Sequence, residues 1–419
     1  MSSSLPLPPK RNPQRKAKPS LAPPAARTRL GIRLSALAST GQLKLQFCKS
    51  CREFAYPPRE ACPRCLIDDL EWSPISGLGK VIATTAIRAT PNLYFRDRVP
   101  WRIGTVLLDE GPIVISHLHG RCATGDRVRA RLQLDKSGQA VFFALPESDN
   151  EFMNDDAQLR EMTNDPKHRR VLITDARTPM GAALAEALAD AGCRSIFAGV
   201  AELWRRDALL DDLSSFPKVE LVRLDLTDTD SVRECAGEFG GKVDILINTA
   251  EYLRPGGFID RRGLAAAKDE FETSVFGFMR LAQFFGPPMR ARGSDGIDSA
   301  SAWVNSLSVR SLSSWPEFGC NSACHAALLS MSQCLRGEFA GSGVRVVNVF
   351  SGPLETEWHD TLPPPKVAPS RLARELIAGL QRGLEDIVVG DVAKDIMSRW
   401  RDNPKVLERE LAAGGGIDG

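Results

Sequence analysis

Long apolar runs are missing from this 419-residue chain: no stretch of about 18 consecutive apolar residues occurs, so nothing in it reads as a membrane-spanning helix. Its opening, MSSSLPLPPKRNPQRKAKPS, lacks the apolar core of a secretory signal, and a cytoplasmic location is the expectation. An excess of either charge is also missing. Lys and Arg number 54 against 52 Asp and Glu, and a net charge of +2 does not by itself build a nucleic-acid surface. Internal repeats are absent too. What is present is the composition of an ordinary globular protein, 43% hydrophobic and 25% charged, in a chain long enough for two domains.

The ten cysteines are too few for a disulfide scaffold at this length. Four of them form a pattern: FCKSCREFAYPPREACPRC contains CxxC, ten intervening residues and a second CxxC. Each pair supplies two thiolates from one tight turn, and two such turns complete a tetrahedron around zinc. Cys48, Cys51, Cys62 and Cys65 are therefore the expected metal ligands. Four thiolates leave the ion no open position, so its role is structural rather than catalytic. The remaining six (Cys122, Cys193, Cys235, Cys320, Cys324 and Cys334) are irregularly spaced and read as small core side chains.

Along the chain, residues 1–28 form a basic, Pro-rich tail expected to be disordered and solvated. Residues 29–42 place Leu30, Ile32, Leu34 and Leu37 loosely on one side of a short helix that ends at Gly41. Short β segments follow. Candidates are 80–88, 103–108 and 113–118, and Val128, Ala130, Leu132 and Leu134 alternate with polar residues. Several short strands in so few residues predict a small barrel, placing helix, ribbon and barrel in 29–146. The polar stretch 147–167, with no sustained apolar period, reads as a linker. From 168 to 411 strand candidates at 170–174, 195–198, 220–224, 244–248, 303–306, 344–349 and 387–389 alternate with helices. That rhythm predicts a doubly wound parallel sheet of Rossmann type, with 412–419 as a flexible tail.

The string GQLKLQFCKSCREFAYPPREACPRC, followed by LEWSPISGLGKV and LLDEGPIVISHL, resembles the zinc-ribbon OB-fold proteins that accompany thiolases and acyl-CoA aldolases. The resemblance covers residues 30–146 and includes Pro57-Pro58-Arg59, Gly79-Lys80-Val81 and Gly125-Asp126. It implies a rubredoxin-like ribbon on an OB barrel that docks on a thiolase-like partner and helps accommodate a CoA thioester, the partner carrying the nucleophile. No catalytic residue transfers with it. Tyr94, Phe95 and Trp101 among Arg96, Arg98 and Arg102 are either core anchors or a surface for stacking a base beside its phosphates. Nucleic acid is the least favoured ligand. His117 and His119 have no neighbouring carboxylate in the sequence and read as ordinary strand residues.

Residues 168–411 resemble the short-chain dehydrogenase/reductases over their whole length. Thr174 and DARTPMG occupy the place of that family's T-G-x-x-x-G-x-G turn, NTAE (248–251) stands for N-N-A-G, and Ser351-Gly352-Pro353 with Thr356 matches the late P-G-x-x-x-T segment. The departures fall on the chemistry. Asp175 and Pro179 replace glycines of the phosphate turn, leaving Gly181, and the second strand ends at Ala198-Gly199-Val200 without the ribose-binding carboxylate. Asp225 retains a position from which an adenine could be met. An empty or altered cleft, rather than an NAD(P) site, is the expectation. Ser308 matches the catalytic serine, but the tyrosine and lysine positions fall on Asn321 and His325, and the helix asparagine on Ser274. An amide does not titrate as the tyrosine must. Two readings stand for these residues: new acid–base work by Ser308 and His325, or a retired site kept for packing.

The whole chain is thus expected to be a non-catalytic accessory subunit of a thiolase or acyl-CoA aldolase complex, with structural zinc and a reductase-like pseudoenzyme domain. The family habit of pairing through long helices, here 264–289 and 320–339, implies a homo- or hetero-oligomer. The alternative is an NADPH-dependent ketoreductase of atypical site acting on a β-ketoacyl-CoA.

Overall fold

The computed structural model describes residues 22–25, 28–147, 153–205, 208–216, 218–259, 263–292 and 300–413. Most of the tail expected to be disordered lies outside these residues, as does 414–419 of the end expected to be flexible, whereas Ala412 closes the helix Pro404–Ala412. The part of the tail that is described packs: Ala22 is buried and Ser137 Oγ donates to Pro23 O.

Helix α1 (Arg29–Ser39) starts where Thr28 caps it, its hydroxyl accepting from the Gly31 amide at 3.1 Å, and buries Leu34 and Ala38. It stops at Gly41, whose φ of +72° only glycine adopts freely. Strands β1 (Lys44–Cys48), β2 (Glu53–Ala55) and β3 (Leu70–Pro74) form an antiparallel sheet in the order β2-β1-β3. A five-stranded barrel follows, built from β4 (Leu78–Ile87), β5 (Trp101–Leu108), β6 (Ile113–Leu118), β7 (Arg127–Leu134) and β8 (Ala140–Pro146). It closes in the order β4-β5-β6-β8-β7, the expected OB-type barrel. The alternating face of β7 enters the core as predicted, Val128, Ala130, Leu132 and Leu134 packing with Val81, Val106, Val114 and Phe142.

The expected linker does not run as a polar spacer. After a short helical turn at Met153–Asp155 it forms one turn of helix, Ala157–Arg160, capped by Asp156, whose carboxylate accepts from the Leu159 amide at 2.9 Å. Met153, Leu159 and Met162 are buried against Tyr94, Trp101, Phe143 and Leu145. Three apolar side chains at irregular spacing anchor a looped strap without any helical or strand period. That is why periodicity did not reveal them.

Seven strands form the parallel sheet: β9 (Arg170–Ile173), β10 (Ser195–Val200), β11 (Val219–Arg223), β12 (Ile245–Asn248), β13 (Ala302–Ser308), β14 (Arg345–Ser351) and β15 (Asp386–Val389). Their order is β11-β10-β9-β12-β13-β14-β15, and separate cores cover the two faces. One core takes residues from α2 (Pro179–Asp190), α3 (Ala208–Ser215) and the later helix Pro369–Gln381. The other takes them from α4 (Thr229–Phe239), α5 (Gly277–Ala291) and α6 (Gly319–Glu338). The first expected long helix is real but interrupted: Ala265–Phe271 and α5 are joined by a π-helical turn, Glu272–Phe276. No helix among the described residues is long and apolar enough to cross a membrane.

The two domains touch through polar contacts. The Glu385 amide donates to Ser39 O at 3.2 Å and Gln133 Nε2 to Gln381 O at 3.5 Å, while buried Arg345, itself bonded to Gly383 O of its own domain at 3.4 Å, donates to Met162 O of the strap at 3.0 Å.

Candidate functional site

The ribbon brings its four cysteines together. Their sulfurs lie within 4.8 Å of one another, with Cys48 and Cys65 at 3.7 Å and Cys51 and Cys62 at 3.9 Å. A tetrahedron with zinc–sulfur bonds of about 2.3 Å has edges of about 3.8 Å, so donor type and spacing fit zinc. Amides face the sulfurs: Cys51 N and Arg64 N lie 3.4 Å from Cys48 Sγ and Cys62 Sγ respectively. The residue after each CxxC, Arg52 or Leu66, takes a left-handed conformation (φ +58° and +63°), which turns the chain sharply back past the pair.

The aromatic loop is closed. Tyr94 and Trp101 are fully buried, and the Trp101 indole donates to His117 Nδ1 at 2.9 Å. Burial pushes His117 down to about 4, so this imidazole is neutral at physiological pH. Arg98 donates to Tyr94 O and Arg102 to Cys122 O, so both guanidinium groups serve the fold. Tyr94 and Trp101 are core anchors rather than a stacking surface.

In the second domain the C-terminal ends of the neighbouring strands β9, β12 and β13 lie side by side, at the edge where an open α/β sheet binds ligands. Its phosphate turn is filled from within. Asp175 Oδ1 accepts from the Arg177 amide at 3.0 Å, and Thr178 Oγ1 accepts from the Gly181 amide at 3.0 Å. Pro179 has no amide to offer. Gly181 is required for packing, because a Cβ there would come within 2.3 Å of Asp175 O. Burial raises the Asp175 carboxyl against the opposing pull of the Arg177 amide and charge. Asp225 is occupied by Thr227, whose amide and hydroxyl donate to its Oδ1 at 2.9 and 2.7 Å.

Ser308, Asn321 and His325 do come together, around a residue that counting motifs missed. The Ser308 amide donates to His325 Nδ1 at 3.2 Å, which leaves the ring proton on Nε2, 3.0 Å from Glu251 Oε1. The same Glu251 oxygen accepts from Asn321 Nδ2 at 2.8 Å, and Asn321 Oδ1 accepts from Arg310 at 2.8 Å. Arg310 is buried with its guanidinium 3.8 Å from the Phe318 ring centre. Burial of the enclosed oxygen opposes ionisation of Glu251, but the hydrogen bond from His325, with that from Asn321 and the charge of Arg310, outweighs it and holds the group at about 2. Ser274 lies buried in the π turn and shares no hydrogen bond with this network among the described residues. The signal for Glu251 was a carboxylate standing where the family has glycine. Arg310 carried none, because its partners are set by tertiary packing.

Three family profiles match the chain. The ChsH2 rubredoxin-like zinc ribbon domain matches residues 35–71, the ChsH2 C-terminal OB-fold domain matches 72–133, and a profile described as enoyl-(acyl carrier protein) reductase matches 176–387. The chain belongs to the short-chain dehydrogenase/reductase family and carries ChsH2-type zinc-ribbon and OB-fold domains ahead of that part. It is 30% identical over 198 residues to the short-chain dehydrogenase cctT of Talaromyces islandicus, covering 46% of this chain and 65% of that protein. It is 28% identical to a dehydrogenase/reductase SDR family protein 7-like of Drosophila melanogaster, over 57% of this chain and 78% of that one. Among solved structures, a short-chain dehydrogenase from Burkholderia cenocepacia in complex with NADP is 29% identical with a TM-score of 0.53, covering 59% of this chain and 98% of that one.

Proposed function

We propose that this protein is an accessory subunit of a thiolase or acyl-CoA aldolase complex acting on a CoA thioester, its reductase domain serving assembly rather than hydride transfer. The observation that carries the reading is the ribbon and OB pair: Cys48, Cys51, Cys62 and Cys65 gathered as a zinc-type cluster on a closed barrel of ChsH2 type. Zinc bound there has no open coordination position and holds the ribbon folded.

Retirement of the reductase site is supported by its occupancy from within. The phosphate turn spends the Arg177 and Gly181 amides on its own side chains, and Asn321 and His325 are both tied to Glu251. His325 has no free ring nitrogen with which to relay a proton. An assembly role is supported by an apolar groove of about 790 Å³ between α5 and α6, lined by Phe278, Met279, Ala282, Met331 and Leu335. A second copy, or a related reductase subunit, would cover it. A cytoplasmic setting accords with the zinc-type use of four cysteines and with six further thiols outside any disulfide.

Two observations favour the alternative of an NADPH-dependent ketoreductase: the Burkholderia relative holds NADP, and Ser308 is retained here. Calorimetric titration separates the two readings. Absence of NADPH and NADH binding, together with co-purification with a co-expressed thiolase-type subunit, is the expected result; tight NADPH binding with turnover of a β-ketoacyl-CoA overturns it.

A further inference from the structure

At the opposite edge of the parallel sheet from the reductase cleft, where β9 to β12 begin, a second cleft of about 610 Å³ opens. Four separate stretches form it: residues 160–169 of the strap, the turn 192–194 before β10, Lys218 before β11, and Asp244 before β12. Cations dominate its lining. Two serve the fold, since Lys167 pairs with Asp155 at 2.5 Å and Arg169 donates to the carbonyls of Arg160, Thr163 and Asp165. The single lining acid, Asp244, is bound by Arg170 and Arg292 and presents no uncompensated charge.

Other cations have no such engagement. Arg194 and Lys218 are exposed and have no acidic partner among the described residues, and Arg160 uses only its Nε, on Asn154 O at 3.0 Å. His168 stands exposed on the rim in a left-handed conformation (φ +66°) that is costly for a residue with a side chain, its amide bonded to Gly192 O at 3.0 Å. Like charges drawn from distant parts of the chain to one concavity raise the local positive potential and favour an anion there. Arg160, Lys167 and His168 also fall between the regions matched by the OB-fold and reductase families, 72–133 and 176–387, so the cleft belongs to neither domain alone.

Resting on the reading that this protein works on a CoA thioester, we propose that this cleft binds the phosphate groups of a nucleotide of the adenosine 3′,5′-bisphosphate class, the headgroup chemistry of that thioester. Its volume falls in the range of small-molecule sites, and guanidinium and ammonium groups from separate walls suit phosphates on both sides of a ribose. Because it lies away from the filled dinucleotide turn, occupancy here is independent of the reductase cleft.

Calorimetry on the full-length protein tests this with adenosine 3′,5′-bisphosphate, CoA and inorganic phosphate as probes, in wild type, in R194E/K218E and in the milder R194Q/K218Q. The expected result is one bisphosphate per chain, CoA binding comparably, and inorganic phosphate at least about tenfold weaker. Reversal of the two exposed charges weakens the bisphosphate by about tenfold or more, neutralisation weakens it less, and added salt weakens it in wild type. Thermal melts of the variants verify that they fold. No binding of bisphosphate by wild type, unchanged affinity in folded variants, or inorganic phosphate binding as tightly as the bisphosphate overturns the assignment.

Discussion

Glu251 holds His325 through an Nε2–Oε1 contact of 3.0 Å, the imidazole being fixed from its other side by the Ser308 amide. In the family this domain belongs to, the same two positions are a glycine and a lysine, so a hydrogen-bonded carboxylate and imidazole replace a small residue and a cation. A third of the Glu251 side chain remains exposed, yet its Oε1 is enclosed by Asn321 and His325. The carboxylate thus provides from within the protein an anion that those two side chains bind.

Stability should register this carboxylate in a defined pH window. Glu251 is held at about 2 against an ordinary value of 4.5, a depressed folded value. Its contribution is therefore complete above about pH 4.5 and is lost as pH falls toward about 2. Urea unfolding of wild type and Glu251→Gln should differ most near neutrality, the gap closing as the pH drops through this window. Parallel curves would show that the carboxylate is not held by its neighbours.

The phosphate turn offers a gain-of-binding experiment. Asp175 takes the Arg177 amide and brings a carboxyl to a phosphate position, while Pro179 removes a donor. Asp175→Gly with Pro179→Gly should bring in NADPH binding, seen in a fluorescence titration under conditions where wild type shows none; a double variant that binds no better than wild type would show that these two residues are not what closes the turn.

Metal content gives a third expectation. Purified protein should hold about one zinc per chain by elemental analysis. Cys65→Ser should lose it and lower the melting temperature, because ion binding and ribbon folding are coupled, whereas Cys334→Ser, at an exposed thiol of α6, should retain it.

Much of this architecture was legible in the chain. The CxxC spacing named the four ribbon cysteines, and the alternation of Val128 to Leu134 named the buried face of β7. All seven strands of the parallel sheet fall where apolar runs between helical stretches put them. What was not legible depended on tertiary partners. Met153, Leu159 and Met162 follow no period, yet all three pack under the barrel, and the aromatic loop's burial was undecidable until those residues closed over Tyr94 and Trp101. At the reductase site the changed residues were visible one by one. Their joining through Glu251 and Arg310 was not, because 70 positions separate Glu251 from Asn321.

The junction between the domains supplies a fourth expectation. Arg345 is buried and bonds the carbonyls of Met162 in the strap and Gly383 in the reductase domain. Arg345→Ala removes both bonds from buried acceptors and should cost about 2–4 kcal/mol in denaturant unfolding. It should also speed proteolysis of the strap.

The central claim, that the chemistry resides in a partner polypeptide, is tested most directly by one assay. A thiolase-type subunit is purified alone and in complex with this chain, and its cleavage of a CoA thioester is timed with nicotinamide cofactors withheld. The account predicts that this chain raises the partner's rate without any nicotinamide. A rate unchanged by the chain, or one that rises only when NADPH is supplied, would contradict it.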